Sequence, residues 1–348
     1  MPRLRLHPLL CALPLIGSVL AEPLPSSAPQ PADNPSTPAK IELGRRLYFD
    51  PRLSADGTVS CNSCHDLDKG GVDGLPVSLG VTGKMGGRNA PTVWNAAFNS
   101  TQFWDGRAAT LEEQAQGPVT NPVEMAMPGG EAVADRLKAI PDYLAAFARA
   151  FPDDPQPSLR NAGRAIAAFE RTLITPGSAY DRHEQGDKTA LSAQQQRGLA
   201  TFTEVGCVAC HSGPAFNGPQ ASLPPGTGFY QRFPTYTDSL LVARYALDQD
   251  PGRYAVTHNE ADRHMFKVPT LRNVALTAPY FHTGSVPTLP EAVRVMGKVQ
   301  LDRDLTEQQV EDIVAFLGAL TGPFPRIERP PVPREVSLHQ RAPFLAQE

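Results

Sequence analysis

The sequence has few cysteines, no excess of positive charge and no long apolar run, and each absence excludes a class of protein. Five of the 348 residues are cysteine, and the formal net charge is −4. Because there is no basic patch or stripe, we expect no nucleic-acid partner. The longest apolar run, from Leu9 to Leu20, is interrupted by Pro14. It falls short of the ~20 residues that a membrane-spanning helix needs, so we expect no membrane span in the mature chain.

The first residues of the chain have the pattern of a secretory signal peptide. Two arginines precede the apolar run, and Val19-Leu20-Ala21 follows with small residues at the cleavage positions. A signal peptide over residues 1–21 predicts export to the periplasm. Cys11 lies within it, and the bulky Leu10 before it argues against a lipoprotein. The other four cysteines all belong to two short motifs, so none is left for a disulfide.

Two copies of a C-x-x-C-H motif organise the chain, Cys61-Asn62-Ser63-Cys64-His65 and Cys207-Val208-Ala209-Cys210-His211. Two thiols one helical turn apart can add to the two vinyl groups of one porphyrin, and the next histidine can turn its imidazole onto the iron. The motifs predict two covalently bound c-type haems, with His65 and His211 as iron ligands. Zinc half-sites are the alternative, but zinc ribbons place their C-x-x-C pairs about 15 to 20 residues apart. These two motifs lie in separate halves of the chain.

The composition favours helices joined by long loops. The chain has 36 Pro and 28 Gly and few alternating β-branched runs. We predict a mainly α fold with two cytochrome-c-like domains, each wrapping one haem. The predicted organisation is a signal peptide over 1–21, a disordered Pro-rich leader over 22–38, an N-terminal haem domain over 39–174, a C-terminal haem domain over 175–323, and a Pro-rich tail over 324–348 that packs back on the N-terminal domain.

Apolar residues at helical spacing predict five helices. Their apolar faces comprise residues 41, 43, 47 and 49; residues 133, 137, 140, 144 and 147; residues 159, 162, 166, 169 and 173; residues 199 and 202; and residues 310, 313, 314, 317 and 320. Two of the helices begin with a capping box, Ser192 with Gln195 and Thr306 with Gln309. The helices before the two motifs give a weak repeat of helix, loop and C-x-x-C-H.

The sixth ligand of each iron decides between electron transfer and reaction with a substrate. For the second haem, the residues that could bind iron downstream of the motif are His258, His264, Met265, His282 and Met296. Sequence position alone does not choose among them.

Five further blocks are informative: Asn89-Ala90-Pro91-Thr92, Gln102-Phe103-Trp104-Asp105-Gly106-Arg107, Asn121-Pro122-Val123-Glu124-Met125, Lys267-Val268-Pro269-Thr270-Leu271-Arg272-Asn273 and Met296-Gly297. They resemble the signature blocks of the bacterial di-haem cytochrome c peroxidases, a family that includes the MauG-like enzymes. The resemblance runs from about Leu43 to Gly322. It implies a periplasmic enzyme that reduces hydrogen peroxide to water with electrons from a small redox protein, a cytochrome c or a copper protein. The N-terminal haem would react with peroxide and the C-terminal haem would accept electrons. A homodimer is one possible assembly.

The resemblance also implies roles for individual residues. Met296 matches the methionine that ligates the electron-accepting haem, and Met/His ligation suits an entry point for electrons because it raises the reduction potential. Gln114 and Glu124 match the polar pair over the peroxide-binding iron, where a carboxyl can move a proton between the peroxide oxygens. Trp104 matches the tryptophan between the haems, where an aromatic ring can relay an electron. The alternative interpretation of Trp104 is that it only packs in the core. The alternative for Glu124 is that it is a solvated carboxylate on a loop.

The family also holds a calcium ion at its domain interface. Asn89 and the carbonyls of Thr277 and Pro279 fall on its ligand positions, and oxygen ligands of this kind suit calcium. His282 matches a histidine near the interhaem region, without an assigned role. Three arginines are candidates for haem propionate contacts or for ion pairs within the protein: Arg88, Arg107 and Arg272.

Two other functions stay open beside the peroxidase. One is a MauG-like oxidase that modifies Trp or Tyr of a partner protein, and the other is a di-haem electron carrier without catalysis. Gln114 and Glu124 argue against a carrier, which gains nothing from an acid over an iron. Met296 argues against the MauG-like branch, which is expected to use Tyr as the sixth ligand of the second haem.

One position departs from the family. The known peroxidases supply a histidine from the loop after the first motif, and that histidine caps the peroxide-binding iron until the enzyme is half-reduced. Here the position is Val81, which has no lone pair. We therefore expect the first haem to be five-coordinate or water-bound when oxidised. The alternative is that Lys84 or Met85 of the same Gly-rich loop caps the iron.

Overall fold

A computed structural model describes residues 22–331 of the chain. The predicted signal peptide and the last part of the tail, residues 332–348, lie outside this range. Within it, no helix combines the length and the apolar character needed to cross a membrane.

The described chain is mainly helical, as predicted. Its helices are α1 Pro38–Phe49, α2 Cys61–Cys64, α3 Leu111–Gln114, α4 Gly117–Thr120, α5 Gly130–Lys138, α6 Pro141–Ala150, α7 Leu159–Glu170, α8 Ala179–Glu184, α9 Ala193–Glu204, α10 Leu240–Arg244, α11 Tyr254–Thr257, α12 Leu289–Leu301 and α13 Glu307–Gly318. Two short strands, β1 Tyr230–Arg232 and β2 Met265–Lys267, pair antiparallel, with Tyr230 opposite Lys267.

In both halves of the chain, two helices cross in close contact at a glycine. Helix α1, which precedes the first motif, crosses α7 at Gly44, where an added Cβ would lie 1.9 Å from the Ala165 carbonyl oxygen. Helix α9, which precedes the second motif, crosses α13 at Gly198, where an added Cβ would lie 1.9 Å from the Asp312 carbonyl oxygen. Only glycine permits backbones to approach this closely. Each crossing places a C-x-x-C-H motif at the end of a rigid pair of helices.

Two hydrophobic cores follow from these crossings. The first is built from residues between Leu43 and Leu173, including Leu47, Phe147 and Ile166. The second lies between Tyr180 and Leu320, with a neighbouring cluster around Val295 on α12. Each core lies beside one motif, because Cys61 packs on the first core and Cys207 packs on the second.

The helix predicted through residues 133 to 147 was wrong in its extent. The structure has two helices there, α5 and α6, with Ile140 as the N-cap of the second. Pro141 takes the first position of α6. Proline lacks the N–H that would continue a helix from α5, but it suits the first turn of a new one.

The leader is also more ordered than its composition indicated. Leu24 is buried, and its backbone N–H donates a hydrogen bond to Asp181 at 3.0 Å. Asn34 is buried and donates from its side chain to Glu112 at 2.7 Å. Thr37 caps α1. Because its partners are distant in the sequence, the low hydrophobicity of the segment did not reveal that it packs on the protein.

The described part of the tail contacts the N-terminal half. The ring of Phe324 lies edge-on to Trp94, with centroids 4.8 Å apart. Ile327 packs on the first core. Arg329 forms an ion pair with Asp66 at 3.4 Å, next to the first motif. The tail thus covers the side of the N-terminal half on which the first motif lies.

Candidate active site

The first motif is held by local hydrogen bonds. Ser60 and Ser63 form a capping box at the start of α2, and His65 is the residue after its last turn. The Nδ1 atom of His65 lies 2.9 Å from the Pro91 carbonyl oxygen. Because a carbonyl can only accept, Nδ1 carries the proton and Nε2 keeps the lone pair that an iron requires.

The second motif has the same arrangement around its histidine. The Nδ1 atom of His211 donates to the Phe216 carbonyl oxygen at 2.9 Å, which leaves the lone pair of Nε2 available to an iron. All four motif cysteines have free thiols. No group of three or more His, Cys, Asp or Glu side chains within residues 22–331 could hold a metal ion, so the two motifs do not combine into one zinc site.

A cavity of about 230 Å³ lies beside the second motif. Cys207, Cys210 and His211 line it, and Met296 of α12 reaches it from another element. Of the other side chains considered as a sixth ligand, His282 also lines this cavity, whereas His258, His264 and Met265 are not part of its wall. The structure therefore reduces the five candidates to Met296 and His282.

The residues present fit a haem at this place. The wall is mostly apolar, and two free thiols and an imidazole with a protonated Nδ1 face the same space. In addition, the Nε2 atom of His282 is buried without a hydrogen-bond partner. When bound, the group supplies an iron that can change its oxidation state.

The proposed acid–base residue Glu124 lies next to the loop that carries Val81. The Val81 N–H donates to the Glu124 carbonyl oxygen at 2.8 Å, and Asn121 Nδ2 donates to Oε1 of Glu124 at 2.6 Å. Burial raises the pKa of the Glu124 carboxyl, while the Arg107 charge and the Asn121 bond oppose the rise. A carboxyl with a raised pKa is suited to exchanging a proton near neutral pH. Gln114 is half-buried at the end of α3.

Trp104 lies at the contact between the two halves. Its indole N–H donates to the Asn89 carbonyl oxygen at 2.9 Å, and its ring lines the cavity of the second motif. Asn89 precedes Pro91 by two residues, and the Pro91 carbonyl holds His65. A short path of one hydrogen bond, three residues of backbone and a second hydrogen bond therefore joins Trp104 to His65, the predicted ligand of the first iron.

The three residues expected to bind calcium line the same cavity: Asn89, Thr277 and Pro279. The amide nitrogen of Asn89 donates to the carbonyl oxygens of Leu75 and Pro76, at 2.9 and 3.3 Å. This leaves the amide oxygen of Asn89 as the atom available to a cation. The structure thus brings the three positions to one wall.

The candidate arginines form ion pairs with the protein itself. Arg88 contacts Asp105 at 2.5 Å and Asp250 at 2.6 Å, and so joins the two halves. Arg272 is fully buried and contacts Asp181 at 2.8 Å. Arg107 contacts Asp105 at 3.0 Å and lies over the Phe103 ring.

The structure shows an internal duplication that extends beyond the weak repeat of helix, loop and C-x-x-C-H predicted from the sequence. Thr92 and Thr270 each donate to a carbonyl near their own motif, that of Gly70 and that of Ala215. Asn95 and Asn273 both have a positive φ, and both donate to the hydroxyl of Thr175 between the halves. The bridge from Gln102 to Ala108 recurs as the bridge from Tyr280 to Val286. The signal was available, since Pro-Thr-x-x-Asn and Phe-x-x-Gly recur at one constant spacing.

The burial of two ionisable residues was also missed. Glu170 of α7 is buried, and its Oε2 atom has no hydrogen-bond partner within residues 22–331. Burial raises the pKa of Cys61 and of Tyr48 at the first motif, and an ionised Glu170 raises both further. Lys267 of β2 is buried on the wall of the cavity beside the second motif. Lys267 opens one of the blocks that resemble the family, but no sequence pattern marks the burial of either residue, because burial depends on contacts made by distant segments.

The fold and the site together define a helical protein with two cytochrome-like haem motifs. Residues 38–189 match the family model described as di-haem cytochrome c peroxidase. The chain is 45% identical to the cytochrome c551 peroxidase of Pseudomonas aeruginosa, over 93% of this chain and 91% of that protein. It is 36% identical to the methylamine utilization protein MauG of Methylorubrum extorquens, over 89% and 86%.

A solved structure agrees with these relatives. A MauG-like protein associated with microbial copper homeostasis is 32% identical, with a TM-score of 0.75, over 86% of this chain and 95% of that one. The chain belongs to the di-haem cytochrome c peroxidase family. It is a haem peroxidase, an oxidoreductase whose family carries two haems and acts on peroxide with a redox partner.

Proposed function

We propose that this protein reduces hydrogen peroxide to water in the periplasm with electrons from a small cytochrome c or copper protein. Electrons enter at the haem of Cys207, Cys210 and His211 and pass to the haem of Cys61, Cys64 and His65. Both haems are held covalently as c-type groups. The observation that carries the proposal is the position of Trp104, which lines the cavity beside the second motif and donates a hydrogen bond to the segment that holds His65.

Different residues of the protein bind the irons and handle the peroxide. Met296 completes the ligand set of the second iron, while His65 and His211 are oriented by the Pro91 and Phe216 carbonyls. Glu124, with its raised pKa, moves a proton between the two peroxide oxygens so that water can leave. Gln114 orients the bound peroxide beside it.

A calcium ion at the wall formed by Asn89, Thr277 and Pro279 would stabilise the contact between the halves. Asn89 already joins them, because its N–H donates to the His282 carbonyl oxygen at 2.8 Å and its own carbonyl accepts from Trp104. An ion bound to the Asn89 amide oxygen would fix this residue.

The experiment is steady-state peroxide turnover with a reduced cytochrome c and with a reduced copper protein as separate donors. We expect donor oxidation that depends on peroxide, with two donor electrons consumed per peroxide. Donor oxidation without peroxide, or peroxide loss without donor oxidation, would contradict the proposal.

A second function, oxidation of a Trp or Tyr of a partner protein as in MauG-like enzymes, is supported by one feature. Val81 offers no ligand to the first iron, so that iron can meet peroxide without prior reduction. Met296 favours the peroxidase. The two functions separate in the assay, since a peroxidase turns over with a small donor alone.

A further inference from the structure

Lys267 is an exception among the buried cations. Four Lys or Arg side chains are buried in the described part of the chain: Lys40, Arg171, Lys267 and Arg272. Lys40 donates to Asn34, Arg171 pairs with Glu112, and Arg272 pairs with Asp181. Within residues 22–331 no hydrogen bond or ion pair reaches the ammonium group of Lys267, and the residue is 7% exposed. An unpaired cation in such a place is costly, so proteins normally provide a partner.

Backbone contacts fix the position of this lysine. It ends β2, where it lies opposite Tyr230 of β1, and its N–H donates to the Trp104 carbonyl oxygen at 2.8 Å. Lys267 cannot leave the junction between the halves without breaking these bonds. Burial lowers the pKa of its ammonium group to about 8.

The cavity that Lys267 lines has positive groups and no negative ones. Lys267 and Arg232 are the Lys and Arg residues of the wall, and within residues 22–331 the wall contains no Asp or Glu. A mostly apolar space with unpaired positive charge matches a flat apolar molecule that carries carboxylates. A haem has this character, because its porphyrin is apolar and bears two propionates.

We infer that Lys267 is the counter-ion of a propionate of the second haem and raises the reduction potential of that haem. The inference rests on the proposed haem at this cavity, but not on peroxide turnover. A fixed positive charge near an iron stabilises the ferrous form, which has one positive charge less than the ferric form. Lys267 is thus a positioning residue that makes the second haem a better electron acceptor.

The test is potentiometry of the holoprotein with Lys267→Met, which keeps an unbranched side chain and removes the charge. We expect the midpoint potential of the second haem to fall and that of the first haem to stay unchanged. Lys267→Arg keeps the charge and should keep the wild-type potential. The matched control is Lys298→Met, which removes a lysine of α12 that pairs with Asp302 and Asp304 outside the cavity. It should leave both potentials unchanged.

Several results would overturn the inference. One is that the midpoint potential of the second haem is unchanged in Lys267→Met. Another is that Lys298→Met shifts this potential by the same amount, which would indicate a general charge effect. If Lys267→Met does not retain the second haem, Lys267→Arg decides: retention with the wild-type potential supports the charge pair, and loss shows a requirement for shape. Added inorganic phosphate should not shift the midpoint potential of the second haem in the wild type. A phosphate-induced shift that is absent in Lys267→Met would show that the partner of Lys267 is an exchangeable anion and not a propionate. Wild-type turnover is measured separately, so failure of the peroxidase proposal is distinguishable.

Discussion

The indole of Trp104 and the imidazole of His282 meet edge to face across the two halves of the protein, with ring centroids 6.3 Å apart. They occupy equivalent positions of the internal duplication, each preceded by a phenylalanine with a φ of 66°. His282 also stacks on Phe266 at 4.2 Å. Burial lowers the pKa of His282 to about 4, so it is neutral at physiological pH. The stack of Trp104, His282 and Phe266 is therefore itself uncharged.

Trp104→Phe should slow electron passage between the haems. Phenylalanine is harder to oxidise or reduce than tryptophan, and it lacks the N–H that binds the Asn89 carbonyl. Loss of that hydrogen bond should cost about 0.5–1.5 kcal/mol of stability. In turnover monitored by absorbance, the second haem should accumulate in its reduced form while peroxide consumption falls. The control is Trp94→Phe, a buried tryptophan packed on Phe324. It should lose stability without this accumulation.

Glu124→Gln should lower peroxide turnover by roughly 10² to 10⁴, the usual contribution of a placed acid or base. The amide keeps the shape and the bond to Asn121 but cannot exchange a proton at neutral pH. Glu113→Gln is the control, because this carboxyl lies exposed on the neighbouring helix α3. Steady-state rates measure both. Wild-type turnover in Glu124→Gln would show that the proton moves by another group.

Met296→His should keep both haems attached and lower the potential of the second haem. Imidazole is a better donor to ferric iron than a thioether, so it stabilises the oxidised form. Potentiometry measures the shift. Met265→His provides a comparison on β2, outside the cavity wall. An unchanged potential in Met296→His would remove Met296 from the ligand set and leave His282.

The first haem should give a high-spin ferric signal in the oxidised protein. Val81 is buried in the first core, and its N–H donates a hydrogen bond to the Glu124 carbonyl oxygen. Met85 is 68% exposed. Electron paramagnetic resonance should show one high-spin and one low-spin haem, and Val81→His should convert the first to low spin. Val81→Ala should not. Two low-spin haems in the wild type would favour a cap from Lys84 or Met85.

Glu170→Gln should stabilise the protein more at pH 8 than at pH 5. Burial raises the pKa of Glu170 from 4.5 to about 8, so between these values the folded state holds a proton that the unfolded state has lost. Wild-type stability therefore falls as pH rises through this interval. The amide removes this dependence, and the gain at pH 8 should be roughly 1–4 kcal/mol.

Denaturant unfolding at both pH values measures this gain. Glu311→Gln is the matched control, since Glu311 is exposed on α13. It should show no comparable change between pH 5 and pH 8. A Glu170→Gln variant that loses stability at pH 8 would show that the ionised carboxylate has a partner in the holoprotein.

The sequence by itself determined the features whose parts are neighbours in the chain. The two C-x-x-C-H motifs contain their thiols and their histidine within five residues, so spacing alone predicts what they bind. The helix starts at Ser192 and Thr306 were predicted correctly, because a capping box closes its hydrogen bonds over three residues. The end of the helix before Pro141 could also have been predicted from neighbouring residues, because proline cannot continue a helix, but it was overlooked.

Only the tertiary structure decided which distant residues meet. The leader packs on the protein because Leu24 bonds to Asp181, and no composition measure contains that pair. The same holds for the ring contact of Trp104 with His282 and for the burial of Lys267 without a partner. The free energy of such contacts depends on which segments exclude water from one another. The crossings of α1 on α7 and of α9 on α13 determine which segments pack together, because they bring together residues far apart in the sequence.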